Sequence, residues 1–309
     1  VQLLASPAAA AAGAVAGYFG GGFDGSTNLS GIDKITFSAD SKSTLAATLT
    51  TARRLLAGMA NSGTAGYFAG GLDSAATSGI DKITFPADTK STLAATLTTA
   101  RRNLAGMANS AVAGYFGGGF DGSTNLSGID KITFSADSKS TLAATLSSAR
   151  SDLAAMANSG TAGYFGGGSD SSGNISGIDK IAFPADSKST LAATLTTARS
   201  RFAGMANSGT AGYFAGGEDS GGLISGIDKI TFPADTKSTL AATLSSARIQ
   251  LAGMANSGTA GYFAGGEDSG GKISGIDKIT FPADSKSTLA ATLTTARTQL
   301  AGMADSGVL

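Results

Sequence analysis

The sequence predicts an all-β fold in which four-stranded antiparallel blades form a ring of six. Three observations carry this. First, the 309-residue chain repeats itself: Gly-Tyr-Phe recurs with its tyrosine at Tyr18, Tyr67, Tyr115, Tyr164, Tyr213 and Tyr262, at intervals of 49, 48, 49, 49 and 49 residues. Second, each unit holds four short runs separated by turn signals, which this length accommodates as four strands. Third, the two ends read as complementary parts of one unit. Leu300-Ala301-Gly302-Met303-Ala304 is a first-strand sequence and Ala14-Val15-Ala16-Gly17-Tyr18-Phe19 a second-strand sequence. Pairing them completes a blade, closes the ring and protects the sheet edges.

Residues 54–101 serve as the reference unit. Leu55-Leu56-Ala57-Gly58-Met59-Ala60 is the first apolar run, and Asn61-Ser62-Gly63 is a turn signal. Thr64 to Ala69, with Tyr67-Phe68, is the second run, stopped by Gly70-Gly71. A polar loop, Leu72 to Gly79, leads to Ile80-Asp81-Lys82-Ile83-Thr84-Phe85, a third strand rich in β-branched and aromatic residues. Pro86 to Ser91 is read as a turn, Thr92 to Leu97 as the fourth strand, and Arg101 closes the unit. The residues leave one alternative open. Leu93, Leu97, Arg101 and Leu104 are spaced almost helically among good helix formers, which would make each unit a hairpin plus helix and the whole an α/β solenoid. The Thr and Ser residues within that segment, and Gly58 or Gly106, which would lie inside such a helix, argue for strands.

Composition narrows the chemistry. Lys+Arg and Asp+Glu are 22 each, and there is no Cys or His. Disulfides, thiol catalysis, Cys/His zinc sites and triads built on His are excluded. Zero net charge argues against a nucleic-acid partner. The 42% apolar content suffices for a folded core. One unit buries too few large side chains to fold alone, so Phe19, Phe37 and their counterparts are expected to pack between neighbouring blades. Residues 1–13, with Ala8 to Ala12 after Pro7, are read as an Ala-rich tail and residues 14–309 as one domain; no membrane span is expected.

The unit resembles the kelch repeat, the blade of galactose-oxidase-like propellers. Gly70-Gly71, the strand ending in Phe85, Pro86, Asp88-Thr89, Leu93 and Arg101 follow the order of that pattern. The kelch tryptophan is absent, and Leu45, Leu93, Leu142, Leu191, Leu240 and Leu289 take its place with altered spacing. The resemblance covers nearly the whole chain and implies a six-bladed β-propeller. The copper chemistry of one branch of that family requires His and Cys and does not transfer.

The units are nearly identical, so their differences point to function. These concentrate in the loop after the glycines and just after the recurring Arg. In an antiparallel four-stranded blade both places lie at one end, so both are expected on one face of the disc. The candidate partner-binding residues there are Phe23, Arg54, Leu72, Arg102, Phe120, Phe202, Glu218 and Glu267. Neutral drift of surface loops is the competing explanation. The glycine runs lack the Lys-Ser/Thr of a phosphate loop, and Asp24-Gly25-Ser26-Thr27-Asn28 lacks the alternating carboxylates of a calcium loop. The six closing arginines, Arg53 and its equivalents, are expected to pair with an Asp or with strand carbonyls rather than ring the channel mouth. No catalytic residue, cofactor or metal is assigned. The sequence thus suggests a non-catalytic structural or binding module, extracellular, on a virion or cell surface. Its partner would be a protein, a surface glycan or other subunits of an assembly. A carbohydrate-binding lectin, an intracellular kelch adaptor and an engineered idealised propeller are the alternatives.

Overall fold

The structure, a computed structural model, describes residues 15–305; the proposed tail lies outside the described residues. It is a six-bladed β-propeller, each blade a four-stranded antiparallel sheet. In the blade of Tyr67 (blade 2) the strands run Ala57–Asn61, Ala65–Ala69, Ile80–Thr84 and Thr89–Thr92, hydrogen-bonded in that order. The blade of Tyr18 (blade 1) is built from both ends of the chain. Ala301–Ala304 supplies its first strand and pairs antiparallel with Ala16–Gly20, Tyr18 opposite Met303. Blades 3 to 6 follow in chain order. Among the described residues there is no α-helix, and so none long and apolar enough to cross a membrane.

Two sequence expectations need correction. The helical alternative is absent: residues 93–101 run irregularly from the outer edge back toward the axis. The fourth strand is Thr89–Thr92, not Thr92–Leu97. The turn after Phe85 is tighter than expected. Asp88, with φ +54°, donates its N–H to Thr84 O and returns the chain at once. Leu97 is buried as part of the returning segment, which is why an apolar residue recurs there without a strand.

First strands of successive blades lie side by side around the axis. Their small residues permit this. Gly58 packs on the carbonyl of Gly302, and Gly106 on that of Gly58, at distances that leave no room for a Cβ. The glycine of each Gly-Tyr-Phe has a similar role, since Met303 of blade 1 fills the space beside Gly66 of blade 2. One Met and one such Gly per unit are therefore two halves of one interblade contact.

Aromatic and charged residues join blades at larger radius. Tyr67 stacks on Phe134 of the next blade, ring centroids 5.4 Å apart, and its hydroxyl donates to Asp137 Oδ1 at 2.8 Å. Lys82 Nζ reaches Asp137 Oδ2 at 2.6 Å. The same set recurs at every interface, including the closing one, where Tyr262 and Lys278 of blade 6 meet Phe37 and Asp40 of blade 1. Interblade packing of Phe37 and its counterparts is as expected, with Tyr as the stacking partner.

The closing arginines are buried. Arg53 Nη1 lies 3.1 Å from Asp81 Oδ2, and Nη2 donates to Phe68 O at 3.0 Å. Burial pulls the guanidinium below its ordinary pKa, and the Asp81 charge opposes that pull. Asp81 also accepts hydrogen bonds from Thr50 of the incoming segment and Thr92 of its own blade. Each pair thus pins a crossing segment to the blade it enters.

Candidate partner-binding face

The two variable segments of each unit meet directly. Arg54 and Leu72 form an antiparallel bridge, with Arg54 N–H to Leu72 O at 3.0 Å and the reverse bond at 2.7 Å. Arg102 bridges Phe120, Ser151 bridges Ser169, Ser200 bridges Glu218, Ile249 bridges Glu267, and Thr298 bridges Phe23. Six bridges, one per blade, therefore form a ring on one face. The double glycine makes this possible. Gly70 and Gly71 have φ of +63° and +108°, and a Cβ on Gly71 would sit 2.8 Å from Arg54 O. Only glycine can turn the chain there and leave room for the bridged strand.

Inside this ring lies a second. Leu55, Asn103, Asp152, Arg201, Gln250 and Gln299 all have φ between 56° and 61°. Each donates its N–H to the carbonyl of the equivalent residue one blade back, at 2.6–3.0 Å, so six amides close a hydrogen-bonded cycle around the axis. Positive φ is unfavourable for Leu, Arg and Gln, and the cycle holds them in it. These six positions carry five different residue types and surround the mouth of an axial cavity of about 70 Å³. Below them Leu56, Leu104, Leu153, Phe202, Leu251 and Leu300 form an apolar floor.

Phe202 is therefore misplaced by the sequence reading. It is 5% exposed, takes the position of Leu56, and meets Phe214 edge-on at 5.6 Å. The other candidates are half-buried at the surface. Arg54 lies over the ring of Phe23 at 4.6 Å and Arg102 over that of Phe120 at 5.1 Å. Lys272 approaches Phe23 as well, at 5.5 Å. On blades 5 and 6 the acids have local partners: Glu218 pairs with Arg201 at 3.0 Å and Glu267 with Lys272 at 3.7 Å. Leu72 sits between the two aromatic loops, on blade 2.

Asp152 is the one acid in the axial ring. Burial pushes its carboxyl above the usual carboxylate range, opposed by the Asn103 side-chain amide, which donates to it, and by the charge of Arg201. Gln299 Nε2 donates to Gln250 Oε1 at 3.0 Å. The loop acids behave differently. Asp121 accepts the N–H groups of Ser123 and Thr124, which hold it at about 2, and Asp24 is bound alike by Ser26 and Thr27. These carboxylates cap their own loops. Among the described residues no group of three or more acids converges to hold a metal ion.

No protein-family model matches the chain, and no curated protein matches it. The face is read from its own geometry. The axial cycle was missed by sequence reasoning, although its signal is present: the two residues after each closing Arg vary among the blades, and the second of them is the one in the cycle.

Proposed function

We propose that the protein is a non-catalytic binding module that presents the bridged face to a protein partner, as a virion appendage or cell-surface component. One observation carries this reading. Six blades that share nearly every packing residue differ where their variable segments bridge on a single face. Drift would spread over all exposed positions. In the turns at the other end Asp137 and its counterparts are held by Tyr and Lys, but the exposed Ala87 and Ser91 there also recur unchanged in all six units.

A non-catalytic role is supported by the charged groups themselves. The Arg53–Asp81 and Tyr67–Asp137–Lys82 sets recur with the repeat and join elements of the fold, and the loop acids are engaged by their own N–H groups. The extracellular setting is supported by near-identical repeats, small polar surface residues and the lack of Cys and His. We read the repeat as kelch-like, on the double glycine, the Phe-terminated third strand and the closing Arg.

An alanine scan of Phe23, Arg54, Arg102 and Phe120 tests the face. Binding of partners recovered from the native source is expected to fall in these variants and to persist when Ser62 or Ser110 on the opposite face is changed. Binding to every such partner that survives the whole scan overturns the proposal. Immunogold labelling of the native sample, expected on particle or cell surfaces, tests the location.

A further inference from the structure

Blades 2 and 5 lie across the ring from each other and differ in how they treat a guanidinium on the variable face. On blade 5 the residue after the double glycine is Glu218, and it neutralises Arg201 at 3.0 Å. On blades 2 and 3 that residue is Leu72 and Phe120. Among the described residues, no carboxylate lies within 4.0 Å of Arg54 or Arg102. Arg54 Nε is buried and has no hydrogen-bond partner. Both guanidinium groups are held over aromatic rings at 4.6 and 5.1 Å, and both backbones are fixed by the bridges to Leu72 and Phe120. A guanidinium stacked this way keeps its planar fork free and loses little freedom when it takes a carboxylate.

We infer that the arc of blades 1–3 docks an acidic segment of a partner protein, its carboxylates held by Arg54 and Arg102 and its apolar side chains against Leu72 and the edges of Phe23 and Phe120. This rests on the reading of the variable face as the binding surface and adds the chemistry of the partner. A neutral glycan is disfavoured because sugars stack on open aromatic faces, and here Arg54, Lys272 and Arg102 occupy them. The acids of the arc are turned into their own loops: Asp24 and Asp121 each accept two backbone N–H groups, and Asp73 accepts that of Ala75. On blades 5 and 6 Glu218 and Glu267 take up Arg201 and Lys272, so those cations are not offered to an acidic segment, which confines it to the other arc. A second copy of the chain is a weaker occupant, because Glu218 and Glu267 already have cations beside them.

The test is selection of random peptides displayed on phage, against the purified protein and against an Arg54→Gln/Arg102→Gln variant of matched melting temperature. Enriched peptides are expected to place Asp or Glu beside aliphatic or aromatic residues. As synthetic peptides they should bind the variant roughly tenfold or more weakly. They should weaken also in about 0.5 M salt, and bind Glu218→Gln/Glu267→Gln as well or better. Enriched peptides that lack acids, and whose binding is lost in Leu72→Ser, overturn the acidic assignment and leave the face reading intact. Absence of enrichment, or peptides indifferent to every face substitution, overturns both. Heparin bound as tightly as the best peptide, with the same arginine dependence, overturns the protein segment in favour of an anionic glycan. A dimer in sedimentation that the double variant abolishes overturns it in favour of self-association.

Discussion

The Leu55 N–H donates to the Gln299 carbonyl at 2.9 Å, joining the entry of blade 2 to the segment before the C-terminal strand of blade 1 and closing the axial cycle of six amides. At the same place Ala301–Ala304 pairs with Ala16–Gly20. A chain truncated after Thr298 is expected to leave blade 1 three-stranded, with the Ala16–Gly20 edge bare and Leu55 without its acceptor. Bare edges invite pairing with other chains. Thermal unfolding should lose cooperativity and light scattering should report association. A truncated protein that stays monomeric with an unchanged melting curve would show that closure is not what stabilises the ring.

The Arg53–Asp81 pair predicts an asymmetry between single and double substitution. Asp81→Asn leaves a buried guanidinium without its countercharge, at a cost of roughly 3–5 kcal/mol in urea unfolding. Arg53→Met/Asp81→Leu removes both charges and is expected to recover much of that loss. A double variant less stable than Asp81→Asn would contradict this account of the pair.

Asp152 makes stability depend on pH in a stated direction. Its carboxyl titrates above the ordinary 3.8 because the folded site is desolvated. The folded chain then holds a proton that the unfolded chain releases, so stability falls as pH rises from about 4 through the raised value and stays lowered above it. Asp152→Asn keeps an acceptor for Asn103 and removes the charge. It should be more stable than the parent at pH 7, with the difference gone near pH 3. Equal urea midpoints at pH 7 would refute it.

The six tyrosines should resist alkali. Burial and the neighbouring Asp raise all of them well above 10.0. The unfolded phenols ionise near 10 and the folded ones do not, so each removes about 1.4 kcal/mol of stability per pH unit beyond that point. Tyrosinate absorbance should therefore rise together with loss of the β-signal in circular dichroism. Tyrosinate formed near pH 10 with the fold intact would exclude the Tyr–Asp contacts.

Much of the fold was legible because it is local and repeated. Gly70-Gly71 marks the end of a strand wherever it occurs, and Ile80 to Phe85 has the β-branched and aromatic residues that strands favour. The fourth strand was not legible. Thr89–Thr92 is exposed and hydroxyl-rich, and such an edge has little apolar signal, whereas Leu97 shows an apolar signal without being in a strand. The bridged face was found from variation alone. Phe202 was misassigned because Ser200-Arg201-Phe202 aligns with Arg54-Leu55-Leu56, which puts the aromatic one residue further along, on the apolar floor.

Blade number, blade order and the side of the disc that varies are written in the chain, since each follows from residues within one unit or from comparing units. The axial cycle, the pairing of Arg53 with Asp81, the seating of Met303 against Gly66 and the placing of Arg54 over Phe23 belong to the assembled ring. Each joins groups from different strands, crossing segments or blades. What a side chain meets across such a gap depends on how neighbouring sheets are set around the axis, and local pattern does not encode that angle.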